Sequence, residues 1–424
     1  MKIAILTNFE AFNDNYSLTH VVRNQAVALV RHGHDVTVFV REDGPTEWNT
    51  ATPYSVNVIP FVPVYEKVAY CTKNTISDEH TTFAQKFSDL LVATLQPFDL
   101  IITHDWILTS LCLPLAEALH LSSRKLRHVP FLHWIHSIPI IPFDWWEIDR
   151  YGRNHRIVYA NKTDRDRVAV LFGGEIDQTR HIPHIEDLRT YADFDPRTWA
   201  VIDKIPGLID STFVQVYPAA GDRLHDKGVS QLIHTFKAIK KKGFSIACLV
   251  VDSWTGVCTR EDTNRYQGIA FRNDVNEQEL AFMSRVGAPH FMNNTPRKVL
   301  RELSMLNSLF VHPTQGECFG LCAPEACLAG GALPVFNRDL PMMVELSGAN
   351  GLHCGFGSHE KKVNANKGND GSDHYGLIAR MIVARAKQDT SWQVRTHYRQ
   401  NLNMDTVYRE HYEPVLTESR LWTK

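Results

Sequence analysis

Two carboxylates and two cations have the types and spacing to do chemistry. Glu317 and Glu325 stand with seven residues between them inside 310–334, FVHPTQGECFGLCAPEACLAGGALP. An apolar run ends at Val311, and Pro313 and Gly316 open a loop. From Ala323 the residue types favour a helix, Pro324 suits its first turn, and Gly330-Gly331 ends it before a new strand at Leu333. In an open parallel sheet such a loop lies at the carboxyl end of a strand, where ligands bind. The helix start offers unpaired N–H groups to a phosphate or a polar sugar. The second set is Gly221-x-Arg223-Leu224-x-x-Lys227-Gly228. An Arg fork and a Lys point charge beside a glycine turn can neutralise charge growing on a phosphate leaving group. Each set also has a plainer reading: two acids on a solvated face with one meeting a helix dipole, and a basic pair in a surface turn.

Taken whole, Glu317-x-Phe319-Gly320-Leu321-x-x-x-Glu325-Ala326, closed by Gly330-Gly331 and Leu333-Pro334-Val335, resembles the nucleotide-sugar site of retaining glycosyltransferases of family four. The resemblance implies that Glu317 faces the donor sugar. It implies that the N–H groups of Phe319, Gly320 and Leu321 hold sugar and phosphate, and that Glu325 chelates the ribose hydroxyls. Gly221, Arg223 and Lys227 match the family's Gly-Arg-Leu…Lys-Gly and would take the leaving diphosphate. The stretch LVRHGHDVTVFV at 29–40 is also typical of the family's start. The implied fold is α/β of the GT-B kind: two doubly wound Rossmann-like domains facing a central cleft, with a C-terminal helix crossing back. The expected parts are an acceptor-side domain at 1–205, a nucleotide-sugar domain at 206–395 and a returning helix at 396–424. Two departures stand out. The first loop, 9–15, lacks the usual glycines, and His184-Ile185 follows Pro183 where the family often has Asn-Gly.

The composition agrees with two domains. A chain of 424 residues exceeds one ordinary core. With 44% hydrophobic and 22% charged residues it is ordinary for a globular protein. A formal net charge of -2 gives no overall basic field for nucleic acid. No apolar run is long enough to span a membrane, and 2–6 reads as a first strand rather than a signal start. The eight Cys are scattered, as suits a cytoplasmic, reducing setting. Cys318, Cys322 and Cys327 fit no zinc spacing and are expected to be small buried residues.

The elements that position these residues follow from periodicity. Strands are expected at 2–8, 35–41, 56–62, 99–105, 130–136, 156–161 and 181–184, with helices at 18–33, 79–95, 109–119 and 163–172 between them. Strand, helix, strand in sequence implies a parallel sheet. A linker is expected at 185–210. Strands then follow at 212–217, 245–252, 268–272, 308–312 and 333–337, with helices at 229–242, 277–286, 297–307, 377–387 and 392–412. His104 and His136 end two of the first-half strands. A His there is commonly a satisfied structural residue; by family position, His136 would contact the donor sugar, with His104 beside it. The acceptor side is expected in strand-end loops of the first half. His104, Asn13 in the first polar loop, and Trp145 and Trp146 in an aromatic stretch that also holds Tyr151 are the candidates. Aromatic faces stack on sugars or bases, and they also cap cores. Arg124, Lys125 and Arg127 would serve phosphate if the acceptor were DNA.

The chemistry implied is transfer of a hexose from a nucleotide-diphosphate donor, most simply a UDP-sugar, with retention and without metal or resident cofactor. No paired-carboxylate metal motif sits at a strand end. The resemblance implies no protein nucleophile; Glu317 would position the sugar while Arg223 and Lys227 hold the leaving group. Two other readings remain: a sugar-nucleotide epimerase and a non-catalytic nucleotide-sugar-binding protein. Acceptor and oligomeric state are left open.

Overall fold

The computed structural model describes residues 1–7, 17–40, 53–59, 75–107, 113–136, 147–186, 188–253, 260–287, 291, 294–317, 321–347, 350–359 and 373–423. Contacts divide the chain into two compact units, Met1–Asp187 with Leu402–Lys424, and Leu188–Asn401.

The first unit is built on a seven-stranded parallel sheet: β1 (Lys2–Leu6), β2 (Asp35–Val40), β3 (Ser55–Val58), β4 (Leu100–His104), β5 (Phe131–Ile135), β6 (His155–Tyr159) and β7 (Thr179–His181). Its order, β3-β2-β1-β4-β5-β6-β7, reverses between β1 and β4, which makes their carboxyl ends the switch point where ligands bind in such sheets. Both faces are covered, so the central strands are apolar on both sides. On one face Ile3, Ile5, Ile102 and Trp134 pack under helix Ser17–Arg31 and under Met404, Val407, Tyr412 and Leu416 of the chain's last segment. On the other, Ala4, Leu6, Ile101 and Phe131 meet Phe87 and Leu91 of helix Asp78–Leu95 and Leu115 and Leu119 of helix Leu113–Lys125. The returning segment comprises Met404–Val407, a π-helical turn Tyr408–Tyr412 and Glu413–Ser419. Asn403 caps its start by accepting from Thr406 N–H at 2.9 Å.

The second unit carries two three-stranded parallel runs. One is β8 (Phe213–Pro218), β9 (Ile246–Val251) and β10 (Leu280–Phe282); the other is β11 (Leu309–His312), β12 (Leu333–Asn337) and β13 (Leu352–Cys354). Side chains join them where the backbone ladder is interrupted. Gln215 of β8 donates Nε2–H to Val311 O at 2.8 Å and accepts Val311 N–H on Oε1 at 2.9 Å. Asn307 Oδ1 accepts Val216 N–H at 2.6 Å, and Ser308 Oγ accepts Val214 N–H at 2.9 Å. The strands therefore run β10-β9-β8-β11-β12-β13, a doubly wound order that reverses between β8 and β11.

Several expectations are revised. Residues 268–272, expected as a strand, end helix Arg260–Arg272, while 277–286, expected as a helix, contain β10 and the short helix Met283–Val286. The helix expected at 109–119 runs on to Lys125, and the one at 392–412 breaks after Asn401. The expected linker holds helices Pro196–Lys204 and Gly207–Asp210, whose Val201, Ile202 and Leu208 pack on Val214, Ala247 and Leu249. The units thus divide at 187/188 where 205/206 was expected, and the return to the first unit begins at Leu402. Cys327 is exposed rather than buried. Tyr151 lies in the core, its hydroxyl donating to Ala116 O at 3.2 Å.

Candidate functional site

In the second unit, two loops at the carboxyl ends of β8 and β11 bring Lys227 and Glu317 together. The β8 loop turns through Gly221–Arg223 and ends at Gly228, whose φ of +69° suits glycine. A Cβ at Gly228 would lie 2.2 Å from Pro313 O, so the two loops touch backbone to backbone there. Asp226 O fastens them further, accepting Gln315 N–H at 2.8 Å and the Thr314 hydroxyl at 3.2 Å. Tyr217, at the end of β8, donates its hydroxyl to Lys227 O at 2.8 Å and meets His312 Nδ1 at 3.2 Å.

On this frame the Lys227 ammonium donates to Glu317 Oε2, both side chains largely shielded from water. Burial pushes the Glu317 carboxyl up, but the Lys227 hydrogen bond and the charges of Lys227 and Arg223 outweigh it, so its pKa lies below the ordinary carboxylate value. Arg223 is exposed, and Gly221 is buried at the turn. Burial holds His312 neutral, its pKa pushed down to about 3. The arrangement is an anchored ion pair with a second cation beside it. An ammonium with three donors can keep Glu317 and still reach a phosphate oxygen.

Glu325 sits in the first turn of helix Cys322–Ala329, which Leu321 precedes and Gly330 ends. Its carboxylate accepts from Arg297 Nη2 at 2.5 Å, and the Arg297 side chain is 86% exposed, so nothing fixes that pair against a competing ligand. Beside them a pocket of about 250 Å³ is lined by Pro218, Arg297, Leu300, Cys322, Glu325 and Ala326 among others.

The first unit brings His104 and His136 together at the carboxyl ends of β4 and β5. His104 Nδ1 lies 2.8 Å from His136 Nε2, the rings stacked with centroids 5.1 Å apart. His184 stacks on His136 at 5.3 Å. Asp105, at φ +57°, accepts His136 N–H on Oδ1 at 3.0 Å, and burial pushes its carboxyl up to about 7. Burial, then the charge of His184, pushes His136 down to about 3, so both rings are neutral and act as hydrogen-bonding groups rather than as strong bases.

Of the residues singled out from sequence, Glu317, Lys227, Arg223 and Gly221 share one loop pair, Glu325 and Leu321 one helix start, and His104 and His136 one contact. Phe319, Gly320, Trp145, Trp146 and Asn13 lie outside the described residues. Lys125, considered for phosphate, is paired with Asp89 at 2.5 Å. Sequence reasoning missed Tyr217, His312, Arg297, Asp105 and Gln25. His312 ends β11 as His104 ends β4, and that repeated strand-end position was the available signal. Among the described residues no group of three His, Cys, Asp or Glu side chains is placed to hold a metal, and no helix is long and apolar enough to cross a membrane.

Comparison with known proteins bears on the first unit directly. Residues 18–172 match the family described as glycosyl transferase 4-like domain. This stretch is similar to a glycosyl transferase 4-like domain. It covers helix Ser17–Arg31 through helix Arg165–Leu171, hence β2 to β6 and both histidines. The motifs of the second unit resemble glycosyltransferases, and the similarity found in the first unit is of the same kind. No curated protein sequence matches the chain. Similar solved structures include a glycosyltransferase from Rickettsia africae ESF-5, 13% identical, with 99% of each chain covered and a TM-score of 0.37. Anabaena HepE in complex with UDP is 16% identical, covering 98% of this chain and 100% of that one, at 0.35. A UDP-forming trehalose-phosphate synthase from Burkholderia xenovorans is 12% identical, covering 100% and 99%, at 0.34. At these TM-scores the overlaps assign no donor, acceptor or mechanism to the present chain.

Proposed function

We propose that this glycosyl transferase 4-like protein moves a hexose from UDP-hexose to a hydroxyl acceptor, with retention and without a metal. The observation that carries the reading is the Lys227–Glu317 pair with Arg223 beside it, on two loops locked together at Gly228. A pure binding protein has no need of a clamp for a leaving group.

The diphosphate would approach Arg223 and Lys227. As the bond from sugar C1 to phosphate oxygen breaks, charge grows on that oxygen, and fixed cations stabilise it more than they stabilise the bound substrate. The acceptor oxygen bonds to C1 on the same face, and its proton passes to the departing phosphate oxygen. Glu317, kept ionised by Lys227, faces the positive charge developing on the sugar ring and does not attack it. Glu325 would accept two ribose hydroxyls, displacing exposed Arg297, with uridine in the adjoining pocket.

The test is incubation with a panel of nucleotide sugars, with and without candidate acceptors, read by mass spectrometry. Consumption of a UDP-hexose with UDP release supports the reading. A second UDP-hexose formed without UDP release makes the protein an epimerase, and no consumption of any donor makes it a binder.

A further inference from the structure

Four side chains from separate elements form one hydrogen-bonded line within the first unit. Gln25, 1% exposed on helix Ser17–Arg31, donates Nε2–H to Tyr412 Oη at 2.9 Å. Its Oε1 lies 2.9 Å from His104 Nε2. An amide oxygen has no proton to give, so His104 carries its hydrogen on Nε2. A neutral imidazole has only one N–H, which leaves His104 Nδ1 bare. That atom must then accept from His136 Nε2, 2.8 Å away. His136 Nδ1 is bare in turn, and this buried nitrogen has no partner among the described residues. A line that starts at a buried amide thus ends in an unsatisfied lone pair at the sheet's switch point. A buried polar atom left so is costly unless a ligand meets it.

Two further features hold the line rigid. The stacked rings of His104, His136 and His184 fix the imidazole planes. Tyr412 closes the π-helical turn Tyr408–Tyr412, a local form that concentrates at functional sites, and stacks on Trp134 at 5.7 Å.

We propose that Gln25 is a positioning residue: acting through His104, it holds His136 as the Nε2–H tautomer, so that Nδ1 accepts a hydrogen bond from a hydroxyl of the sugar substrate. This rests on the transferase reading above. A bare ring nitrogen attracts a hydroxyl, which has a proton to share, and repels a phosphate oxygen, which has none. The ring therefore selects and orients a sugar hydroxyl rather than a phosphate.

The experiment uses the full chain labelled with 15N-histidine, His136 being assigned by the signal lost in His136→Asn. Long-range 15N–1H spectra read the tautomer of each ring without any ligand. Both rings are expected as Nε2–H. Gln25→Met removes the acceptor at constant size and should release both rings into mixed tautomers, lowering UDP-hexose turnover about tenfold, the scale of one hydrogen bond. Gln25→Glu keeps an acceptor oxygen and should restore the Nε2–H pattern. Wild-type His136 found as Nδ1–H overturns the proposal, as does Gln25→Met with tautomers unchanged. If Gln25→Met does not fold, the wild-type spectrum and Tyr412→Phe, which leaves the Gln25–His104 bond in place and should leave both tautomers as they are, still decide. Turnover with His136 as Nδ1–H refutes the tautomer relay and spares the transferase reading. The expected tautomers with no UDP-hexose consumed refute the transferase reading, and with it the sugar hydroxyl, but spare the relay.

Discussion

Replacing Lys227 with Met keeps the length of the side chain and removes its charge from a pair whose side chains are only 12% and 14% exposed. Glu317 then loses a charge-assisted hydrogen bond, with a stability cost of about 1.5–3 kcal/mol. The pH dependence follows from the direction of the shifts. In the native protein Glu317 titrates below its ordinary value, so its stabilisation is fully present above the unfolded carboxyl pKa and is lost as pH falls through the depressed folded one. In the variant, burial acts without Lys227, and the folded carboxyl moves upward. The variant is then penalised at neutral pH and recovers as pH falls and the acid is protonated. The stability gap between the two proteins should be widest near pH 8, should be narrower at about pH 4, and should close only below the depressed native value. Turnover should fall ~100–1,000-fold, as for loss of one transition-state charge donor. Denaturant unfolding at both pH values and UDP release under saturating donor measure the two effects. An equal stability gap at both pH values would refute the electrostatic account of the pair. A native kcat with only a raised KM would mean that Lys227 binds without catalysing.

Glu325→Ala should weaken UDP about 10–100-fold by calorimetry with the fold intact, since it removes charge-assisted bonds to ribose worth about 1.5–3 kcal/mol; an unchanged Kd removes Glu325 from the nucleotide site. Gly228→Ala meets both a left-handed backbone and Pro313 O, so it should cost at least about 2 kcal/mol and depress kcat by parting Lys227 from Glu317; native stability would mean that the loops are not locked there. Gln215→Leu strands Val311 N–H and C=O in the core and should destabilise by about 2–6 kcal/mol in denaturant unfolding; a loss under about 1 kcal/mol would show that the β8–β11 seam does not depend on Gln215.

Much of the frame was legible because parallel strands buried on both faces leave continuous apolar runs, as at Leu100–His104 and Phe131–Ile135. The loop pair was legible because Gly228, Lys227 and Glu317 keep their types and spacing. Short elements were not. β10 has three residues, too few to show a period, and the last residues of helix Arg260–Arg272 look like a strand when the window is short. Over the longer window Thr263, Tyr266 and Ala270 are buried at helical spacing. The helices of 196–210 were hidden by a polar composition, although Val201, Ile202, Ile205 and Leu208 mark their buried side. Gln215 gave no signal, because its role appears only once β8 and β11 are neighbours. The His104–His136 contact likewise needs the strand order, since the two are one strand and one helix apart in the chain.

The central claim is transfer with retention and without metal, and the anomer first formed tests it most directly. A 1H NMR time course would follow the hydrolysis of UDP-glucose, or of whichever UDP-hexose the donor panel selects, in EDTA. The account predicts UDP together with the α-anomer of the free sugar, ahead of mutarotation. The β-anomer appearing first, or activity lost in EDTA and restored by manganese or magnesium, would contradict it.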